Sequence, residues 1–257
     1  MAAAALNDPA VIKLLVVGET GDGKSTLINA LRSPGQQEAR TGLDSGGVTK
    51  EPACFFARIH GKDVLLIDSP GVGDETVNVG TLVGQLEIAL GTGMINGIIS
   101  CCKVCSNCIT MGSKVVQAVI DKGILGTDKW DNIILCGTQV DRCDAQEIEN
   151  FRTKTLQGFN NRVAGCNITR VAVTSNKKEP LFEELKRAIS ELPDQHLKYQ
   201  KPDEAVLAQQ ISDITGIQAQ KVIEQIKEVH HHGDQDHGPN FRIAFAFGPF
   251  SAECRQM

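Results

Sequence analysis

The sequence predicts a three-layer α/β sandwich, in which a mainly parallel sheet with one antiparallel edge strand carries helices on both faces. Short apolar runs alternate with helical patterns from about residue 11 to residue 192. Because parallel strands need a crossover segment between them, this alternation favours a parallel sheet. The apolar runs 53–60 and 63–68 instead meet directly at Gly61-Lys62, which predicts a hairpin and one antiparallel strand. After Pro193 the alternation stops, so a C-terminal helical extension is expected.

Each element is assigned from its hydrophobic period. A short apolar run between turn signals is typical of a buried strand, and apolar residues three or four apart are typical of a helix. The predicted strands are 11–18, 53–60, 63–68, 94–100, 131–137 and 168–174. The predicted helices are 25–32, 77–90, 112–123, 145–163 and 181–192. The helix at 145–163 has a polar face, and Pro193 ends the last helix because proline cannot continue one.

Changes in composition divide the chain into four parts. They are an N-terminal arm (1–10), a main domain (11–193), a linker with an amphipathic helix (194–229), and a His-rich polar tract with a C-terminal tail (230–257). One apolar stripe predicts the amphipathic helix, although Thr215-Gly216 weakens it. The stripe consists of Leu207, Ile211, Ile214, Val222, Ile226 and Val229. This helix either docks on the main domain or is offered to a partner or a second copy, and residues 230–238 are expected to be mobile.

Charge and composition exclude several classes of function. The chain has 257 residues, a formal net charge of −5, one Trp and one Tyr. An acidic balance argues against a nucleic-acid binder, and scarce aromatics argue against a stacking platform for single strands. No apolar run reaches the roughly 18 residues of a membrane span, and no signal peptide is evident. Nine cysteines suit a cytoplasmic protein with reduced thiols better than a disulfide framework.

The segment "GETGDGKS" (18–25) predicts a phosphate-binding loop. It fits the pattern G-x-x-x-x-G-K-[ST] and lies between a predicted strand and a predicted helix. Its glycines permit turns that point backbone N–H groups at phosphate oxygens, Lys24 supplies a cation, and Ser25 offers a hydroxyl to Mg²⁺. The predicted nucleotide-binding residues here are Gly18, Glu19, Thr20, Gly21, Asp22, Gly23, Lys24, Ser25 and Thr26.

Two further loops are candidates for sensing the γ-phosphate. In "DSPG" (68–71), Asp68 ends an apolar strand and is predicted to hold Mg²⁺, while Gly71 can present its N–H to the γ-phosphate. In the earlier loop, Thr49 of "SGGVTKEP" is placed to reach the metal only when a triphosphate is bound, and Thr41 competes for this role.

The segment "TQVD" (138–141) predicts the base-reading element. A carboxylate at Asp141 can accept from guanine N1–H and its exocyclic amine, a pattern that adenine cannot satisfy. Thr138 and Gln139 complete this loop, and Gln139 stands where the common form has Lys. From "TSNKK" (174–178), Ser175 or Asn176 can approach the base.

In this order, these motifs resemble a translation-factor-type P-loop GTPase, and within that class the GIMAP (immunity-associated, avirulence-induced) GTPases, which are similar to septins and chloroplast import GTPases. "GETGDGKSTLINAL", "GGVTKEP", "DSPGVGDE", "TQVD" and "TSNKK" carry the resemblance, although "TQVD" is nearer to the generic GTPase form. The resemblance implies GTP/GDP and Mg²⁺ as ligands. It favours Thr49 over Thr41, assigns catalysis to Lys24, Thr49 and Gly71, and assigns Mg²⁺ to Ser25, Thr49 and Asp68.

The resemblance also implies slow hydrolysis. Ras-like enzymes place a water-orienting Gln directly after the glycine of this motif, but here that residue is Val72. We therefore expect a GTPase switch that forms a homodimer or homo-oligomer in its GTP state, with a group supplied in trans. Asp74 or Glu75 is a possible substitute in cis. The alternative is a septin-like assembly protein in which bound GTP is structural and hydrolysis incidental.

The run "CCKVCSNC" (101–108) keeps a third hypothesis open, a metal or redox function. Cys101 and Cys102, if both lie in the strand, point to opposite faces and cannot bind one ion. Cys102, Cys105 and Cys108 supply three thiolates, and Cys143 after "TQVD" is the plausible fourth ligand. Redox sensitivity and idle cytosolic thiols are the alternatives.

Overall fold

The computed structural model describes residues 8–39, 53–69, 79–106, 109–175 and 180–236. The strands are β1 Ile12–Val17, β2 Ala53–Ile59, β3 Lys62–Asp68, β4 Gly97–Lys103, β5 Ile133–Thr138 and β6 Arg170–Val173. The α-helices are α1 Lys24–Leu31, α2 Val79–Gly91, α3 Met111–Gly123, α4 Ala145–Asn150, α5 Leu156–Asn160, α6 Pro180–Ser190, α7 Glu204–Thr215 and α8 Ala219–Asp236. Short 3₁₀ turns span Val104–Ser106, Lys129–Asn132 and Val140–Arg142.

Within the described residues the strands form one sheet in the order β2-β3-β1-β4-β5-β6. All neighbours are parallel except β2 and β3, so the predicted fold class and its antiparallel edge strand are confirmed. The hairpin turn lies one residue earlier than expected, since Ile59 pairs with Lys62 across His60-Gly61. Both turn residues have positive φ, 46° and 81°, as a two-residue hairpin loop of type I′ requires.

Within the described residues, the two largest apolar cores lie on opposite faces of the sheet, which makes the three predicted layers. One core joins the sheet to α1 and α6, through Leu27, Ile28, Leu185 and Ile189 among others. The other joins it to α2, α3 and the α4–α5 region. Strand alternation explains the division, because Val16 and Val17 of β1 point to opposite faces.

The C-terminal extension is two helices, so the prediction of a single helix over 203–229 is wrong in this respect. Gly216 ends α7 in the left-handed conformation (φ 80°), and its N–H donates to the carbonyl of Ser212. Thr215 reinforces the stop, because its hydroxyl accepts from the N–H of Ile217. A side chain at position 216 would strain this left-handed backbone, so a glycine is favoured where α7 ends.

Both C-terminal helices dock on the main domain, which is the first of the two alternatives that the sequence left open. Helix α7 packs on α3, and α8 packs on α2. Leu207, Ile211, Val222 and Ile226 are buried within the core they share with the sheet. At Gly80 of α2 the approach is so close that a Cβ would lie 2.0 Å from the carbonyl oxygen of Gln225.

Two helix boundaries also differ from the expectations. The predicted helix 145–163 is divided by a π-helical turn, Phe151–Thr155, between α4 and α5. Asp144 begins α4 with a reciprocal capping box to Glu147. The helical backbone continues through residues 230–236, so α8 ends later than the apolar stripe predicted.

None of the helices in the described ranges combines the length and the apolarity that a membrane crossing requires. The four-part division of the chain stays a prediction, and residues 1–7 and 237–257 lie outside the described residues.

Candidate nucleotide-binding site

The predicted functional loops meet at one edge of the sheet. The phosphate loop follows β1, Asp68 ends β3, and Thr138 ends β5. These strands are parallel, so their carboxyl ends lie at the same edge, where open α/β sheets bind ligands. The fold therefore brings together residues that are more than a hundred positions apart in the sequence.

The phosphate loop has the backbone shape that its glycines allow. A Cβ at Gly18 would lie 2.8 Å from the carbonyl oxygen of Cys101, so a side chain there would collide with the neighbouring strand. Gly23 begins α1 in the left-handed conformation (φ 81°), and the helix carries no side-chain cap. The first N–H groups of α1 are thus left to a ligand, and a helix N-terminus favours an anionic one.

Lys24 lies folded over this loop. Its Nζ donates to the carbonyls of Gly18 and Glu19, each at 3.0 Å, and the residue is 6% exposed. Burial lowers the pKa of Lys24, and the nearby Asp68 carboxylate opposes that shift. The ammonium is therefore held in a low-dielectric position where a phosphate oxygen would find a strong partner.

Ser25 and Asp68 form the candidate Mg²⁺ position. The Ser25 hydroxyl donates to Oδ2 of Asp68 at 3.1 Å, and Asp68 is 1% exposed. A hydroxyl and a carboxylate side by side at the phosphate loop are the hard oxygen donors that Mg²⁺ takes together with nucleotide phosphates. The residues present therefore fit the metal that the sequence implies.

The base-reading element 138–141 and the two residues after it form one loop, the base-reading loop (138–143). This loop is hydrogen-bonded to the phosphate loop. Thr138 donates its hydroxyl to the carbonyl of Asp22 at 2.8 Å, and Gln139 donates its amide to the carbonyl of Gly21 at 2.8 Å. Gln139 itself is held in the left-handed conformation, with φ 59°. These hydrogen bonds join the base-reading loop to the phosphate loop, and the Gln139 side chain is engaged by the carbonyl of Gly21.

Asp141 and Ser175 converge from different strands. The Ser175 hydroxyl donates to Oδ1 of Asp141 at 3.4 Å. Ser175 is 1% exposed and lies two residues after the end of β6, at the edge of the sheet that holds the other loops. The structure thus brings the two predicted base-reading side chains together.

Several predicted residues lie outside the described part of the chain. They are Thr41, Thr49, Gly71, Val72, Asp74, Glu75 and Asn176. The γ-phosphate-sensing roles of Thr49 and Gly71 stay predictions for that reason.

Sequence reasoning gave Asp22 no role beyond loop membership, but the structure buries its carboxylate. Asp22 accepts from the N–H of Glu19 at 2.8 Å and is 1% exposed. Burial raises the pKa of Asp22 to about 6, against the opposing pull of the Glu19 N–H, Lys24 and Lys103. A polar residue in a glycine-rich loop gives no sequence signal for burial, so this acid could not be predicted.

Two more residues bear on the position and charge of the loop, although no sequence motif predicts them. Glu19 accepts from the N–H of Gly112 at the start of α3, with a distance of 2.7 Å to Oε1. Lys103 ends β4, and a Cβ at Gly21 would lie 3.2 Å from its Nζ. The position of Lys103 at the end of the strand beside β1 is the one cue that could have placed a cation here.

The cysteine run is divided between the two cores. Cys101 and Cys102 lie in β4 and face opposite sides, as predicted. The Cys102 thiol lies 3.1 Å from the Ser113 hydroxyl, and burial raises its pKa to about 12, which does not suit a thiolate ligand. Cys108 lies outside the described residues, and within them no cluster of three or more His, Cys, Asp or Glu side chains could hold a metal.

In comparison with known proteins, parts of the chain are similar in sequence to GTPases. The family model for interferon-inducible GTPases matches residues 3–124, just under half of the chain. Immunity-related GTPase family M protein 3 of Mus musculus is 37% identical over 81 residues, which cover 30% of this chain and 19% of that protein. GTPase Der of Mycoplasma pneumoniae is 27% identical over 183 residues, which cover 68% of this chain and 37% of that protein. The chain thus spans about a fifth of the length of the immunity-related relative it matches.

Solved structures agree on the fold. Era from Aquifex aeolicus, bound to GDP and AlF₄⁻, superposes with a TM-score of 0.54 at 17% identity, covering 78% of this chain and 65% of that one. Toc33 from Arabidopsis thaliana, in complex with GDP and Mg²⁺, superposes with a TM-score of 0.52 at 16% identity, covering 74% and 88%. At these identities the likeness concerns the fold, which is the fold that the sequence predicts.

Proposed function

We propose that this chain is a P-loop GTPase of the immunity-related and GIMAP-like group, and that it binds guanine nucleotide and hydrolyses GTP slowly as a nucleotide-dependent switch. The observation that carries the proposal is the position of Lys24, buried over the phosphate loop and beside the Ser25–Asp68 pair. A cation, a row of helix N–H groups and two oxygen donors at one sheet edge match the needs of a nucleoside polyphosphate.

Phosphate binding would redirect contacts that the loop now makes with itself. The Lys24 ammonium exchanges the carbonyls of Gly18 and Glu19 for β- and γ-phosphate oxygens. Ser25 and Asp68 would hold Mg²⁺, which would supply neutralisation of phosphate charge. Thr49 and Gly71 are proposed to sense the γ-phosphate, on the strength of the motifs alone.

Guanine selectivity is assigned to Asp141. A carboxylate accepts both the N1–H and the exocyclic amine of guanine, whereas adenine has no N1–H donor to give. The contact between Asp141 and Ser175 supports this role, because Ser175 after β6 orients the Asp141 carboxylate after β5. Thr138 and Gln139 set the distance between base and phosphates by tying this loop to residues 21 and 22.

Slow turnover follows from the residue after Gly71. Val72 cannot orient water by hydrogen bonding, so we infer that direct attack of water on the γ-phosphate awaits a group supplied in trans. Asp74 or Glu75 is the alternative source in cis. Self-association in the GTP state would bring such a group to the site. For chloroplast translocon components, one of which has a similar fold, dimerization is important for the GTPase activity.

A single-turnover assay tests both parts of this function. We expect GTP hydrolysis in the presence of Mg²⁺, a rate constant that rises with protein concentration, and loss of activity in Lys24→Ala. A rate independent of concentration would remove the self-association, and tight GTP binding without turnover would favour the septin-like assembly protein. Light scattering with GDP and with a non-hydrolysable GTP analogue shows directly whether the triphosphate state assembles.

A cytoplasmic location and the division of the chain at about residue 193 are part of the same proposal. Nine cysteines, an odd number, suit reduced thiols better than a disulfide framework, which supports a reducing compartment. Fluorescence imaging of the tagged chain in cells is the direct test, and a membrane-bound or secreted pool would contradict the proposed location.

A further inference from the structure

Two cysteines lie side by side at the outer end of the base-reading loop. Cys105 is exposed in the turn Val104–Ser106 that follows β4, and Cys143 ends the turn Val140–Arg142 that follows β5. Because Lys103 of β4 pairs with Thr138 of β5, both turns leave the sheet together, and they pack on each other. Burial, and after it the neighbouring Cys105, raises the pKa of the Cys143 thiol, as expected for two side chains that lie next to each other.

Cys143 is also tied to the loop that it ends. Its thiol donates to the carbonyl of Gln139 at 3.7 Å. Gln139 in turn holds the phosphate loop through Gly21, and Asp141 lies only two residues before Cys143. The position of the Cys143 sulfur is therefore coupled to both ends of the candidate nucleotide site.

We propose that Cys105 and Cys143 form an intramolecular disulfide under oxidation, and that this bond weakens guanine-nucleotide binding. The second half rests on the proposed function, whereas the first half does not. The two thiols thus make a covalent modification site beside the base-reading loop.

The oxidant is a small-molecule disulfide such as oxidised glutathione. The Cys105 thiolate attacks one glutathione sulfur, a glutathione thiolate leaves, and a mixed disulfide forms on Cys105. The Cys143 thiol then loses its proton and attacks the Cys105 sulfur, which expels the second glutathione thiolate. Two protein thiols are oxidised to one disulfide, and one oxidised glutathione is reduced to two thiols, which take up the two protons.

Exposure decides the order of these steps. Cys105 is open to solvent, so it meets the oxidant first. Burial raises the pKa of Cys143 to about 11, with the neighbouring Cys105 and Glu147 adding to the effect, so its attack is the slow step. Among the described cysteines, Cys102 is nearest in sequence to Cys105 and could compete with Cys143 as its disulfide partner. However, Cys102 is buried, and its thiol is within hydrogen-bond distance of the Ser113 hydroxyl.

The disulfide changes the loop because of its geometry. Its sulfur–sulfur distance is about 2.05 Å, far shorter than a thiol–thiol contact, so Cys105, Cys143 or both must move when the bond forms. The bond also removes the S–H donor that now reaches the carbonyl of Gln139. Asp141 must present both carboxylate oxygens in the base plane, so a displacement two residues away is expected to lower GDP affinity about tenfold.

Reciprocity gives a second, independent measure of the same coupling. If the disulfide weakens GDP binding tenfold, saturating GDP disfavours the disulfide tenfold. For a two-electron couple that is a shift of about 30 mV toward a higher reduction potential. GDP is thus expected to protect the thiol pair from oxidation.

The test oxidises the full chain in glutathione buffers of graded potential, with and without GDP, and maps disulfides by mass spectrometry. GDP affinity is measured on the reduced and oxidised protein and on two variants. We expect a Cys105–Cys143 bond, about tenfold weaker GDP binding, and the potential shift. Cys105→Ser should bind GDP as the reduced wild type does and lose the response, whereas Cys54→Ala should keep it.

Several outcomes would overturn the inference. A mixed disulfide that persists on Cys105, or a bond from Cys105 to Cys108, would remove the proposed pair. A Cys105–Cys143 bond with unchanged GDP affinity would remove the coupling. Failure of the reduced protein to bind GDP would instead contradict the proposed function, and the disulfide map would still decide the first half.

Discussion

Replacing Asp22 with Asn tests whether the phosphate loop holds a buried acid that destabilises the folded domain at neutral pH. Burial raises the pKa of Asp22 from 3.8 to about 6. At ~1.4 kcal/mol for each pKa unit, ionising Asp22 costs the folded state about 3 kcal/mol relative to the unfolded chain. The pKa of Asp22 is higher in the folded state than in the unfolded chain. The free energy of unfolding is therefore highest below pH 3.8, where Asp22 is protonated in both states, and this contribution is lost as the pH rises through 6.

Asn keeps an amide oxygen that can accept from the Glu19 N–H, but it does not ionise. We therefore expect Asp22→Asn to be more stable than wild type by about 1–3 kcal/mol at pH 8, with roughly half of that gap closed at pH 5. Urea unfolding of the nucleotide-free protein at several pH values measures it, followed by the fluorescence of the single, buried Trp130.

The matched control is Asp63→Asn, an exposed carboxylate paired with Arg58, for which we expect a change of less than about 1 kcal/mol. A variant Asp22→Asn that is no more stable than wild type at pH 8, or a gap that does not change with pH, would refute the assignment of a buried, destabilising carboxylate.

Three further changes test the site and the extension. Bound phosphate adds negative charge beside Asp22, so protonation of Asp22 should favour binding. GDP affinity should therefore rise as the pH falls from 8 to 6 in wild type, and rise less in Asp22→Asn. An equal change of GDP affinity with pH in the two proteins, measured by fluorescence titration, would contradict this. Asp141→Asn should bind GDP roughly 100-fold more weakly and prefer xanthosine diphosphate, whose C2 carbonyl can accept from the new amide; unchanged GDP affinity would exclude Asp141 as the base reader. Gly80→Ala should lose about 1–3 kcal/mol of unfolding free energy, because the new Cβ would lie 2.0 Å from the carbonyl oxygen of Gln225. Its control, Gly91→Ala, has nothing within 4 Å of the new Cβ and should be neutral or stabilised by up to about 1 kcal/mol in the same urea assay.

The fold could be predicted because its cues are local and repeated. Apolar runs of strand length alternate with helical patterns, and the single direct hairpin marks the antiparallel edge. The phosphate loop could be predicted for the same reason, since its residues are consecutive. Once the strands are parallel, the convergence of Lys24, Asp68 and Thr138 at one edge follows from topology alone.

Contacts set by the packing of distant segments could not be predicted. Nothing near Asp22 in the sequence indicates that its carboxylate is buried, because that burial depends on strands β4 and β5 beside the loop. In the sequence, Thr215-Gly216 indicates only a weak point in the apolar stripe, whereas in the structure the helix α7 ends at Gly216. The pairing of Cys105 with Cys143 needed the register of β4 on β5, which a spacing pattern does not contain.

Equilibrium titration of the nucleotide-free protein with GDP and with ADP, in the presence of Mg²⁺, tests the central claim most directly. We expect GDP to bind roughly 100-fold more tightly than ADP, since a site built to pair with N1–H and the exocyclic amine rejects a base that lacks them. Lys24→Ala should abolish the binding of both. Equal affinities for GDP and ADP, or GDP binding that survives in Lys24→Ala, would contradict a guanine-nucleotide site at this loop.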